Sequence, residues 1–182
     1  MARYYRRRYT RVVKPKKKWG SNMIGVEMNV VNSGQTITGG YHAVTLATNK
    51  TETTSPTPVI VKTGNFKVQG DLHYTGSGTS VGHPSAMLYV VFVPQGMEPT
   101  TYAAASSLIA NHPEWILAWR FLESNIVNAA GIVDTNRFSF SSRLKRNLNS
   151  GDSILAILLV GSLGVGQTCT VNGMCQFWTC AN

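Results

Sequence analysis

The sequence predicts an all-β fold: a single eight-stranded antiparallel jelly roll, a β-sandwich with one short helix and a basic N-terminal arm. Three observations lead to this prediction. Apolar and polar residues alternate with the period of two that is typical of a strand with one buried face. Clusters of turn-forming residues separate eight such stretches. No strand–helix–strand alternation recurs, which argues against a parallel α/β sheet. A lipocalin-like barrel is the second alternative.

Eight segments carry the strand pattern and are rich in β-branched and aromatic residues. In the third, for example, Phe66, Val68 and Leu72 alternate with polar residues such as Lys67 and Asp71. The segments are 23–30, 36–48, 65–74, 86–94, 114–123, 136–142, 152–161 and 167–178.

One segment predicts a helix, residues 99–111, lying between the fourth and fifth strands. It begins at Pro99, runs through three alanines and ends before Pro113. Turn residues predict loops at 51–58, 75–84 and 147–152.

The fifth strand segment is apolar on both faces. One face carries Trp115, Trp119 and Phe121, and the other face carries Ile116, Ala118 and Leu122. Such a strand is either central in the sandwich or buried at an interface between molecules. The sequence favours the position in the core over the interface.

The first 20 residues hold the whole net charge of +9. They contain nine of the 17 Lys and Arg residues and no acidic residue, whereas the remaining eight basic residues are balanced by eight acidic ones. Charge blocks of this kind are typical of interaction arms, which bury too little surface to fold. We therefore expect an arm at 1–20, disordered or bound to nucleic acid, and a jelly-roll domain at 21–182.

The arm combines cations with aromatic rings, which predicts binding to nucleic acid. Cations bind phosphates, and bases stack on aromatic rings with about 1–3 kcal/mol each. The predicted binding residues are Arg3, Tyr4, Tyr5, Arg6, Arg7, Arg8, Tyr9, Arg11, Lys14, Lys16, Lys17, Lys18 and Trp19. Residues 14–18, Lys-Pro-Lys-Lys-Lys, also match a nuclear localisation signal. A solubility tail is the alternative.

A second basic cluster lies in the body, at Arg143, Lys145 and Arg146. On a strand, Arg143 and Lys145 share a face, and Leu144 lies opposite. The cluster either binds nucleic acid or pairs with carboxylates across a contact between subunits, and the sequence does not favour one of these.

The chain offers no convincing catalytic or metal site. Residues 151–154, Gly-Asp-Ser-Ile, match the start of one hydrolase family, but the last histidine is His112, so Ser153 has no downstream base. We therefore expect no enzyme and no cofactor.

The three cysteines, Cys169, Cys175 and Cys180, do not have zinc spacing. Reduced, buried thiols are favoured over a disulfide or a metal site, and a cross-link between subunits stays open. No signal peptide is evident, and the most apolar stretch, 154–161, is far shorter than the roughly 20 residues of a membrane helix. No membrane insertion is therefore expected.

Two stretches resemble the capsid proteins of small circular single-stranded DNA viruses, the circovirus-like group that also encodes a Rep protein. They are the opening Arg/Tyr run at 1–11 and the segment 137–154, in which a strand meets a basic run and an Asn-Ser-Gly-Asp turn. The resemblance implies a virion protein with about sixty copies in an icosahedral shell. It further implies a packaged DNA genome, assembly in the host nucleus after binding an import receptor, and an unknown host-cell receptor. A coat protein of a small RNA virus and a cellular nucleic-acid-binding protein with a basic tail are the alternatives.

Overall fold

A computed structural model describes residues 18–34, 38–50, 60–76, 85–97, 105–122 and 134–181. All eight predicted strands are present. They are β1 (Gly20–Val31), β2 (Thr38–Thr48), β3 (Val61–Gly76), β4 (Ser85–Val93), β5 (Ile116–Leu122), β6 (Asp134–Leu148), β7 (Ser153–Leu163) and β8 (Gln167–Ala181). Helix α1 (Ala105–Asn111) lies within the predicted helix, whose expected start at Pro99 falls outside the described residues. A 3-10 turn (Pro113–Trp115) precedes β5.

The strands form two four-stranded sheets with only antiparallel pairs. Sheet I has the order β1-β8-β3-β6, and sheet II has the order β2-β7-β4-β5. The chain changes sheet at every connection between strands except that from β4 to β5. This is the topology of a jelly roll. The predicted fold is confirmed, and the barrel alternative is wrong because the two sheets stay separate.

The main core lies between the two sheets. On β1, Val26 and Met28 are fully buried while Glu27 between them is exposed, which confirms the alternation read from the sequence. On β8, Cys169 and Cys175 face the same core. Burial of this apolar surface supplies the main driving force for the fold.

A second apolar cluster covers the outer face of sheet II. Leu155 and Ile157 of β7 pack there with Tyr89 of β4, under Leu108 of α1. Strand β7 is therefore buried on both sides, which explains its unbroken apolar sequence at 154–160.

Strand β5 is an edge strand, so the predicted central position is wrong. Its pairing with β4 contains a bulge at Leu117, since Val90 faces Ala118 and Val91 faces Ile116. The extra residue turns Leu117 into the core and leaves Trp119 on the outer face. Trp119 is 55% exposed and Phe121 is 53% exposed. Trp115 lies in the 3-10 turn and not in the strand.

The turn between β6 and β7 is shorter than predicted, because β6 continues to Leu148. Asp152 closes this turn: its Oδ1 accepts a hydrogen bond from the backbone N–H of Gln95 at 3.0 Å, and its Oδ2 accepts one from that of Asn149 at 2.8 Å. Gly151 has a φ of 81°, which favours glycine. The Gly-Asp-Ser-Ile stretch thus serves to connect two strands. Of the other predicted loops, 51–58 and most of 75–84 lie outside the described residues.

Candidate nucleic-acid interface

Most of the predicted nucleic-acid-binding arm lies outside the described residues, so its role stays a prediction. This applies to Arg3, Tyr4, Tyr5, Arg6, Arg7, Arg8, Tyr9, Arg11, Lys14, Lys16 and Lys17. The structure describes Lys18 and Trp19, which are both exposed, and β1 begins directly afterwards at Gly20.

The root of the arm lies against sheet I. The Nζ atom of Lys145 is 5.2 Å from the centre of the Trp19 ring, a cation–π contact of about 0.5–1 kcal/mol at an exposed site. Gly64 of β3 makes room for this contact, because a Cβ there would lie 2.5 Å from Cγ of Lys145. The stem of Lys145 therefore crosses β3 toward the arm.

Strand register places an aromatic ring and a cation in one row on the outer face of sheet I. Lys145, Gly64, Trp178 and Ser21 are paired neighbours across the four strands β6, β3, β8 and β1. Paired residues of an antiparallel sheet point to the same side. Trp178 therefore belongs to the surface that carries Lys145.

The outer face of sheet I gathers most of the body's positive charge. Of the eight basic residues after residue 20, register and alternation place five on this face. These five, with Trp19 and Trp178, are termed the basic face: Lys62, Lys67, Arg137, Arg143 and Lys145. The described acidic residues there are Glu27 and Asp71, and Asp71 Oδ1 lies 3.5 Å from Arg137 Nε. The face keeps a positive excess.

Arg146 lies apart from its two neighbours in the predicted cluster. Its guanidinium group donates a hydrogen bond to the carbonyl oxygen of Glu114 and lies 5.9 Å from the centre of the Phe92 ring. Both partners are close to sheet II, so Arg146 bridges the two layers of the sandwich. The structure therefore brings Arg143 and Lys145 together on the basic face and separates Arg146 from them.

Sequence reasoning missed Lys62, Lys67, Arg137 and Trp178 as members of this surface. Their strands show the alternation that puts them on one face of their own strand. Which strands are neighbours, and in what register, cannot be read from that alternation. The four residues come from three strands, and these strands meet only through the pairing of β3 with β6 and β8.

All three cysteines are buried, and Cys169 and Cys175 face the core. Burial raises the pKa of Cys169 to about 11 and that of Cys175 to about 12, so both thiols are neutral at physiological pH. Within the described residues, no group of three or more His, Cys, Asp or Glu side chains could hold a metal ion. In the same part of the chain, no helix is long and apolar enough to cross a membrane.

No protein-family model and no curated protein matches the chain. The solved structures that match include two of one virus, and both are only weakly similar. One is the infectious bursal disease virus VP2 subviral particle, with a TM-score of 0.34 and 10% identity over 93% of this chain and 46% of that one. The other is the Gx strain of the same virus, with a TM-score of 0.28 and 10% identity over 93% and 44%. The chain thus spans less than half the length of either. Likeness at this level defines no family, so the functional inference depends on the residues themselves.

Proposed function

We propose that this chain is a viral coat protein that self-assembles into a small icosahedral shell and packages single-stranded DNA. The observation that carries the proposal is the contact of Trp19 with Lys145. It places Trp19, at the end of the nine-cation arm, on the basic face of sheet I, which supports a common role for the arm and this face in binding nucleic acid. Residues 21–182 as a whole carry no net charge, since eight Lys and Arg are balanced by eight Asp and Glu, so the positive excess of the basic face is balanced by acidic residues elsewhere in the domain. A subunit with its charge on one side suits a shell that has nucleic acid on its inner side.

The charge of the arm is large enough for packaging. Nine arm cations in each of about sixty copies supply about 540 positive charges, which offset part of a genome of a thousand or more phosphates. The arms repel each other until nucleic acid binds, whereas the neutral domain can approach its copies without long-range repulsion. Assembly is therefore coupled to packaging.

The choice of DNA over RNA rests on the sequence resemblance, since nothing in the arm reads the sugar. The stretch 14–18 serves as a nuclear localisation signal in this proposal, which places assembly in the host nucleus, with an import receptor as partner. Attachment to a host cell requires a receptor that the residues do not identify.

A cellular nucleic-acid-binding protein is the alternative from a different class, and the basic face of sheet I suits it as well. The two functions differ in what they predict for self-association. A coat protein forms closed shells of many copies, whereas a cellular binding module stays a monomer or a small oligomer on nucleic acid.

Negative-stain electron microscopy of the purified full-length protein, with and without single-stranded DNA, tests the proposal. We expect uniform round particles under about 25 nm across, the size of a shell of about sixty such domains. A matched variant with the nine arm cations replaced by Gln should lose packaged nucleic acid, measured by the ratio of absorbance at 260 and 280 nm. Monomers or small oligomers under all conditions would favour the cellular binding module.

A further inference from the structure

The free edge of β5 borders an apolar groove. Strand β5 pairs with β4 on one side, and on its other side no strand among the described residues pairs with it. A groove of about 690 Å³ follows this edge toward β6 of sheet I. A strand edge with unpaired backbone groups is a template for pairing with another chain.

Apolar side chains line most of both walls of the groove, with Ser141 and Ser142 of β6 as the polar lining residues. Trp119 and Phe121 line it on the outer side, with their rings in an edge-to-face contact at 5.7 Å. Phe140 and Leu144 of β6 line it on the side of the sandwich interior. Trp119, Phe121 and Leu144 are each more than half exposed. A contiguous exposed patch of this kind typically marks a protein contact.

The shape of the groove defines what can occupy it. A strand added along β5 would have one face against Trp119 and the other face against Phe140, so both of its faces must be apolar. The arm is basic and does not meet this requirement. Strand β5 itself meets it except at Arg120, which is paired with the core residue Leu88 and so lies on the inward side. Its outward residues are Ile116, Trp119 and Phe121, and its other inward residues are Leu117, Ala118 and Leu122.

We propose that the β5 strands of two copies of this chain pair antiparallel across a two-fold axis. The two copies of sheet II then form one continuous eight-stranded sheet, and each groove receives apolar side chains of the other copy. A two-fold contact uses the same surface on both copies, as a self-complementary strand requires. This inference rests on the proposed function in one respect, that the chain self-assembles.

Charge is compatible with this pairing. Arg120 is the only charged residue of β5 and has no salt bridge within the described part of the chain. Like charges directly opposite each other destabilise a strand pair. The register that sets Trp119 opposite Trp119 places Arg120 opposite Ala118, so the two guanidinium groups do not face each other.

The area is adequate for the centre of an interface. A buried aromatic side chain covers about 150–250 Å², so Trp119 and Phe121 at half exposure offer about 200 Å² per copy. A standard interface buries about 800 Å² on each partner. The two rings supply about a quarter of it, and the strand edge with Ile109 and Leu144, both exposed, extends it.

The first test replaces Trp119 with Lys in the full-length chain, because an inserted lysine is a common natural block at strand edges. Light scattering after size exclusion, at a salt concentration that removes nucleic acid, measures self-association. We expect the dissociation constant of the two-fold contact to rise at least about 30-fold, as for a tryptophan at the centre of an interface. Val165→Lys is the matched control: it adds the same charge at an exposed apolar residue in the turn before β8.

The second test is a cross-link. Trp119→Cys brings two thiols together across the axis, since paired Cα atoms in an antiparallel sheet are about 4.5–5.5 Å apart, within the range of a disulfide. Mild oxidation should give covalent dimers on a non-reducing gel. Val165→Cys should not, and the native cysteines are buried.

The outcomes separate this inference from the proposed function. A wild-type chain that never associates overturns both. Wild-type particles together with a Trp119→Lys variant that assembles equally well and a Trp119→Cys variant that does not cross-link overturn the β5 contact alone. The same two results with a lowered melting temperature for Trp119→Lys would assign the groove to a segment of the same chain, which also overturns the contact.

Discussion

The outer faces of the two sheets differ in chemistry although their inner faces share one core. Sheet I presents polar and basic side chains to solvent, among them Lys67 and Lys145. Sheet II carries Ile157 and Tyr89 on its outer side, and α1 covers them. The outer side of sheet I is thus basic and open to solvent, whereas that of sheet II is apolar and covered by the chain itself, with Trp119 and Phe121 left exposed at the β5 edge.

The difference originates in the sequence pattern of the central strands. In β8 of sheet I, Cys169, Val171 and Cys175 are buried and alternate with polar residues. In β7 of sheet II, residues 154–160 are all buried. A strand that alternates can leave one face in water, whereas a strand that is apolar on both faces must be covered twice.

The largest expected effect tests whether the outer side of sheet II is a packed second core. Ile157→Ala should reduce the free energy of unfolding by about 2–5 kcal/mol, because it opens a cavity among buried side chains. Ser139→Ala, on the exposed outer side of sheet I, should change it by less than about 0.5 kcal/mol. Urea unfolding followed by fluorescence measures both. A loss below about 1 kcal/mol for Ile157→Ala would mean that this face is not a core.

The next effect concerns the inner side of sheet I, where burial raises the pKa of Cys169 to about 11 and that of Cys175 to about 12. The unfolded chain releases these protons near pH 9, and the folded chain keeps them. The free energy of unfolding is therefore highest below pH 9. It decreases as the pH rises from 9 to about 11 for Cys169 and to about 12 for Cys175, by at most about 1.4 kcal/mol per pH unit for each thiol. Urea unfolding at pH 8, 9 and 10 measures this slope.

The matched control for the alkaline loss is the double variant Cys169→Ala, Cys175→Ala. It removes both thiols and should flatten the profile between pH 9 and 10, at a lower stability overall. Parallel profiles for variant and wild type would show that other groups cause the loss.

The smallest expected effect tests whether the basic face of sheet I binds nucleic acid. Replacing Lys67, Arg143 and Lys145 with Gln should leave stability nearly unchanged and reduce the salt dependence of single-stranded DNA binding. The slope of log K against log salt should fall by about 2, at 0.7 per lost phosphate contact. The control pair, Lys50→Gln with Arg120→Gln, lies outside the basic face. Fluorescence anisotropy at several salt concentrations measures the slopes, and an equal loss per replaced cation in both variants would contradict a localised basic face.

Much of the fold could be predicted because the alternation of apolar and polar residues within a β-strand shows which of its faces is buried. The alternation in β1 and β3 and the turn residues between segments gave all eight strands. The bulge at Leu117 could not be predicted, since an additional apolar residue in a strand that is apolar on both faces does not change the sequence pattern of that strand. For that reason Trp119 and Phe121 were expected in the core and are exposed.

The candidate site likewise contains residues that the sequence predicted and residues that it could not predict. The residues Arg143 and Lys145 were expected on one face of a strand, and the structure places them there, because alternation within one strand is a local property. Their neighbours Lys67 and Trp178 come from two other strands. Contacts between them depend on strand order and register, which are set by how the whole chain closes around its core.

The sequence by itself determined the class of fold, the eight strands and the concentration of the net charge in the first 20 residues, since these follow from composition and from periods of two residues. Only the tertiary structure decided which strands are edges, where the arm begins on the sheet and which scattered cations form one surface. The physical reason is that the residues of a strand determine whether each of its faces is buried or exposed, whereas the neighbouring strand and its register depend on the packing of all eight strands together.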